Sequence, residues 1–132
     1  MTTAMIIAIL VATIAGFALG GLWYGPLFGA MWMADNGYKE EDLKRGFSPA
    51  LAYGGTFVLG LLSAALFAVI VGPRPSLGYA VSLGVAIGVC WVSAAIGTNY
   101  LFERRPPRLF LINAGYHTLR FALIGLTFGL IG

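Results

Sequence analysis

The first 34 residues, Met1 to Ala34, carry no charged side chain, and this run limits the fold more than any other feature. As one helix it would reach ~51 Å at 1.5 Å per residue, against a bilayer hydrocarbon core of ~30 Å. The rest of the chain has the same character: of 132 residues, 59% are hydrophobic and 10% charged, with a mean hydropathy of +0.88. A soluble domain is roughly 25% charged, and a short chain hides too small a share of its surface to bury this much apolar area in water. The bilayer is therefore the solvent. The length allows about four crossings of ~20 residues each, which leaves no room for a separate soluble domain.

Gly25-Pro26 offers the first break, so the first span is expected over residues 4–24, followed by a short interfacial segment, Leu27–Met33, with Trp23, Tyr24 and Trp32 at headgroup level. The start lacks the basic region of a secretory signal and reads as a retained span. Asp35-Asn36-Gly37 turns the chain into a polar loop, residues 34–47, where the Glu40/Lys44 and Glu41/Arg45 spacing predicts a short solvated helix. A second span is expected over 48–72, with Pro49 in its first turn and Gly72-Pro-Arg-Pro75 closing it. The third covers 77–101 and stops at the loop Glu103-Arg-Arg-Pro-Pro-Arg108; the fourth covers 108–131. The expected fold is all-α: one domain, residues 1–132, of four transmembrane helices in a compact bundle.

Lys39, Lys44, Arg45, Arg104, Arg105 and Arg108 fall in the first and third loops, and only Arg74 in the second. By the positive-inside rule this six-to-one split puts loops one and three in the cytoplasm and both termini outside. The same placement removes any basic surface for nucleic acid, despite a net charge of +3. Cys90, the only cysteine, admits neither an intrachain disulfide nor a thiolate metal site.

Helices in lipid associate by close backbone approach and interhelical hydrogen bonds, so small residues are expected to line up. They recur at i+4 as Ala8-Ala12-Gly16-Gly20, Ala52-Thr56-Gly60-Ala64, Ser82-Ala86-Cys90-Ala94-Thr98 and Gly125-Gly129. Trp91 reads as a packing residue within the third span. Four short spans carry more such faces than one bundle uses, which points to a homo-oligomer.

Three segments stand out together: Trp23-Tyr-Gly-Pro-Leu-Phe-Gly29, Asn99-Tyr-Leu-Phe-Glu103 and Ile112-Asn-Ala-Gly-Tyr-His117. In this order and spacing the chain resembles, over nearly its whole length, the bacterial membrane family called domain of unknown function 1761. The resemblance implies a four-helix membrane protein and no particular activity.

Asn113, His117 and Arg120 follow i, i+4, i+7 and share one helix face, with Tyr116 beside them. From Arg108, His117 lies ~13 Å and Arg120 ~18 Å into the span. An arginine at that depth costs about 2.5–3.5 kcal/mol on insertion scales and is expected to face protein or water. No span contains an acid to pair with it. The candidate ligand site therefore comprises Asn113, Tyr116, His117 and Arg120, roofed toward the cytoplasm by Trp23, Tyr24 and Asn99. A small anion or a lipid is the expected ligand; no catalytic residue, metal or cofactor is assigned. Binding or transport of a small solute by a homo-oligomer is the leading function. The alternatives are a membrane-embedded enzyme acting on a lipid or quinone, with His117 as general base, and an accessory subunit of another membrane complex. No phosphate-binding loop, dinucleotide fingerprint or nucleophile elbow occurs.

Overall fold

A computed structural model describes all 132 residues, and every regular element in it is helical. Helix α1, Thr3–Leu22, starts where Thr2 Oγ1 accepts the Met5 N–H at 3.1 Å. It does not end at Gly25. The chain winds on through a π-helical turn, Trp23–Leu27, that contains Pro26. Proline has no N–H, and its ring collides with the carbonyl four residues back in an α-helix. The wider turn avoids that collision, and Phe28 N–H donates to Trp23 O at 2.8 Å instead. The first crossing accordingly extends over Thr3–Leu27, three residues past the end expected at residue 24.

Helix α2, Gly29–Asn36, supplies the segment after the first crossing and ends at Gly37 with φ +72°. A Cβ on Gly29 would stand 2.5 Å from Tyr24 O, so only glycine lets α2 fold back this tightly. The short polar helix α3 is Glu40–Lys44. Ser48 Oγ caps α4, Pro49–Val71, which stops at Gly72. The third crossing, Leu77–Glu103, comprises α5, Leu77–Ile87, a π-helical turn, Gly88–Ser93, and α6, Ala94–Glu103. Helix α7, Pro107–Ile131, is the fourth. All four crossings are long and apolar enough to span a membrane.

Helix α7 is the hub. On one flank it meets α5 backbone to backbone: a Cβ on Gly84 would strike the Phe121 carbonyl, one on Gly125 the Ala80 carbonyl, and one on Gly88 would lie 2.6 Å from Thr118 Cα. Ser93 Oγ lies 3.2 Å from Thr118 Oγ1 at the same contact. Lipid does not squeeze helices together, so this intimacy supplies the dispersion contacts that hold them. The buried row of the third crossing is thus Ala80-Gly84-Gly88, not the expected Ser82-Ala86-Cys90-Ala94-Thr98, all five of which are exposed. Both rows are small enough; the glycines of α7 decide which one is used. Trp91, expected to pack, is 63% exposed on the outer face of the π-helical turn.

On its other flank α7 meets α1, and α1 carries α4. Met5, Ala8, Ile9, Ala12, Ala64, Phe67, Ala68, Ile124 and Phe128 close into one core toward the termini, with the Phe67 and Phe128 rings 5.6 Å apart. Toward the opposite end, the loop side, Phe17 stands edge-on between Tyr53 and Phe57, 6.2 Å from each. This wedge holds α4 off α7 and leaves a gap among α1, α4 and α7.

Candidate functional site

The three sequence segments meet at the loop end of α7. Trp23 Nε1 donates to Ile112 O at 2.9 Å, and Tyr24 Oη donates to Asn113 Oδ1 at 2.6 Å. Asn113 Nδ2 in turn donates to Tyr100 Oη at 2.6 Å, and Tyr116 Oη donates to Gly16 O at 3.0 Å. These five side chains, from the π-helical turn, α6 and α7, thereby have their polar atoms committed to one another or to backbone, and they fasten three crossings together.

Asn99 does not join them. It is exposed, and its neighbour Tyr100 takes the inward position. The sequence segment contained both residues. The π-helical turn at Gly88–Ser93 rotates everything after it relative to α5, so an α-helical period carried down the span selects the wrong neighbour.

A second layer lies just outside. Arg108 donates to both Asp35 oxygens, at 2.7 and 2.9 Å, and is the chain's one ion pair. Arg105 Nη2 donates to Asn36 Oδ1, and the Arg105 guanidinium stands 5.9 Å over the Tyr100 ring. Helix α2 is held in this way against the start of α7. The hydrogen bond from Arg108 keeps the Asp35 carboxyl below its ordinary value of 3.8.

His117 and Arg120 differ from the rest. Arg120 Nη2 lies 3.4 Å from His117 Nδ1, its one hydrogen-bond partner, and the guanidinium stands 4.6 Å over the Phe121 ring. Its aliphatic stem rests on Gly16, where a Cβ would come within 3.1 Å of Cγ. No buried side-chain nitrogen or oxygen is left without a partner, so the remaining guanidinium donors open onto space.

That space is a chamber of about 180 Å³ bounded by Ala12, Gly16 and Phe17 of α1, Thr56, Phe57 and Gly60 of α4, and His117, Arg120 and Ile124 of α7. Phe17, Thr56, Tyr116 and His117 also line a wider vestibule of about 510 Å³ that reaches Tyr24, Gly25 and Tyr53 at the loop side. The two are one recess. The third crossing lines neither part; the first, second and fourth crossings do.

The chemistry of its inner end is one-sided. A guanidinium only donates, so His117 Nδ1 accepts from Arg120 and the imidazole carries its proton on Nε2. Thr13 and Thr56 give their hydroxyl protons to Ile9 O and Ala52 O at 2.7 Å each. Arg120 and His117 Nε2 are then the free donors, and neither Asp nor Glu lines the recess. No three of His, Cys, Asp and Glu gather anywhere in the chain; His117 is a single imidazole, and the donor set suits an oxyanion.

Among curated proteins and among solved structures, none matches this chain. A family model described as protein of unknown function (DUF1761) matches residues 7–129, and that match includes Trp23, Tyr24, Tyr100, Asn113, Tyr116, His117 and Arg120. The chain belongs to that family.

Proposed function

We propose that this integral membrane protein binds a small anionic solute at Arg120 and His117, and passes it across the bilayer or holds it, as a homo-oligomer. The observation that carries the reading is Arg120 itself. It stands 13 residues into α7, ~20 Å from the helix start, with one weak hydrogen bond and no carboxylate near it. A guanidinium at that depth needs an anion, water or dipoles, and the recess beside it supplies room for the first. With no Ser, Cys, Asp or Glu lining the recess and the Thr13 and Thr56 hydroxyls donating to backbone carbonyls, no aliphatic hydroxyl, thiol or carboxylate stands ready for His117 to activate, which favours binding over membrane-embedded catalysis.

The exposed small-residue face of α5 and α6 supports self-association, and the basic split supports a cytoplasmic loop side in an inner membrane. The test is ligand-observed NMR on protein in zwitterionic nanodiscs, with acetate, phenylacetate and inorganic phosphate as probes. Saturable binding of at least one probe should vanish in Arg120→Gln with the oligomer mass unchanged. Arg120→Lys should restore it in part, because it keeps the charge and loses the planar fork. Equal binding by wild type and Arg120→Gln would reject the reading.

A further inference from the structure

The recess around Arg120 is blind and its walls are unlike its end. Toward the termini it meets the core layer of Ala8, Ala64, Phe67, Ile124 and Phe128, each no more than 1% exposed. Toward the loop side it widens to the vestibule beside Gly21, Gly25 and Tyr53, all exposed. The free donors stand at the closed end. The walls between are aromatic: Phe17, Tyr24, Tyr53, Phe57 and Tyr116. The hydroxyls of Tyr24 and Tyr116 are already engaged with Asn113 and Gly16, which leaves their rings as the surfaces available to a ligand.

Resting on the assignment of Arg120 and His117 as an anion site, we infer that the ligand is a short organic carboxylate with an apolar, ring-sized body, entering carboxylate-first from the loop side. The carboxylate meets the Arg120 fork and His117 Nε2–H, as planar bidentate recognition favours. The body then fills the vestibule among Phe17, Tyr24 and Tyr53, where edge-to-face contact is the preferred aromatic geometry. An inorganic ion would leave that apolar space to poorly bonded water. A long-chain lipid anion would instead have to lay its tail out between the helices past Leu59, an exposed residue of α4 that also lines the chamber.

Phenylacetate, acetate, inorganic phosphate and oleate, each titrated against wild type and Tyr53→Ala in zwitterionic nanodiscs, test this. Phenylacetate should bind about tenfold or more tighter than acetate, the order of preference an apolar pocket gives for added hydrocarbon. Tyr53→Ala, which alters the vestibule and not the chamber around Arg120, should reduce that preference while leaving acetate affinity as it was, a pattern that misfolding would not produce. Acetate or phosphate binding as tightly as phenylacetate would overturn the inference and leave the anion site standing. Oleate binding more tightly than phenylacetate would overturn it in favour of a lipid anion. Failure of all four to bind wild type would remove the anion site itself, and this inference with it.

Discussion

The Tyr24 hydroxyl donates to Asn113 Oδ1 at 2.6 Å across 89 residues of chain, and this contact joins the π-helical turn that ends the first crossing to the first turns of the fourth. The same amide donates to Tyr100, so a single asparagine is the junction of three crossings. The conformation at Pro26 aims Tyr24 inward, and the register set by Gly88–Ser93 aims Tyr100.

Asn113→Leu should therefore cost more than Tyr24→Phe. The first leaves two half-buried hydroxyls without their partner; the second removes one hydrogen bond, worth ~0.6 kcal/mol on average and up to ~1.7 between membrane helices. Reversible unfolding in mild detergent measures both. If Asn113→Leu proves the milder of the two, the junction role assigned to Asn113 is wrong.

The two small-residue rows of the third crossing make a sharper contrast. Gly84→Leu places a side chain where the Phe121 backbone already stands and should abolish folding or drive α5 off α7. Ala86→Leu, two residues on and exposed, should leave the monomer fold intact and weaken self-association if that face is the subunit contact. Native mass spectrometry from nanodiscs reads the second outcome: an unchanged oligomer would exclude the face, and a wild type that is a single 14.0 kDa species would exclude the oligomer.

What the sequence made legible follows from the range of the physics involved. Four apolar runs, only the last of them interrupted by a charge, Arg120, have one solution in a bilayer, because backbone polar groups must be satisfied within the helix. Helix ends marked by Pro49 and Gly72 are likewise local. The shared face of Asn113, His117 and Arg120 could be read because α7 is unbroken. The face of the third crossing could not, because a π-helical turn adds a residue to one turn, and nothing in Gly88-Val-Cys-Trp-Val-Ser93 announces it. Of the constellation placed by sequence, Trp23, Tyr24, Asn113 and Tyr116 have their polar atoms paired within the bundle, whereas His117 and Arg120 face the recess. Which polar atoms are already paired depends on neighbours far along the chain.

The Asp35–Arg108 pair gives a pH dependence with a definite sign. Folding lowers the Asp35 carboxyl below 3.8 through the Arg108 hydrogen bond, so the pair holds α2 in place above that value. It is lost as the pH falls through the lower, folded-state value. The pair is solvent-accessible, so salt should weaken it. Trp32 in α2 lies 6.1 Å from the Tyr24 ring, and its fluorescence should change with a midpoint below 3.8. Asp35→Asn should show the acid signal already at pH 7. A midpoint above 3.8, or one that Asp35→Asn retains, would assign the transition to another group.

The orientation of the chain decides from which compartment the recess is entered. Lys39 lies between α2 and α3 on the loop side, and Ser76 caps α5 on the termini side. With Cys90→Ser as background, Ser76→Cys should react with an impermeant thiol reagent on intact cells and Lys39→Cys should react only after lysis, as the basic split requires. Thr56→Cys, in the wall shared by chamber and vestibule, should follow Lys39→Cys and not Ser76→Cys, because the core layer of Phe67 and Phe128 closes the recess toward the termini. Bound phenylacetate should slow its labelling several-fold and leave Lys39→Cys unaffected. Labelling of Lys39→Cys on intact cells would reverse the topology. Labelling of Thr56→Cys from the Ser76 side would show instead that the recess opens toward the termini.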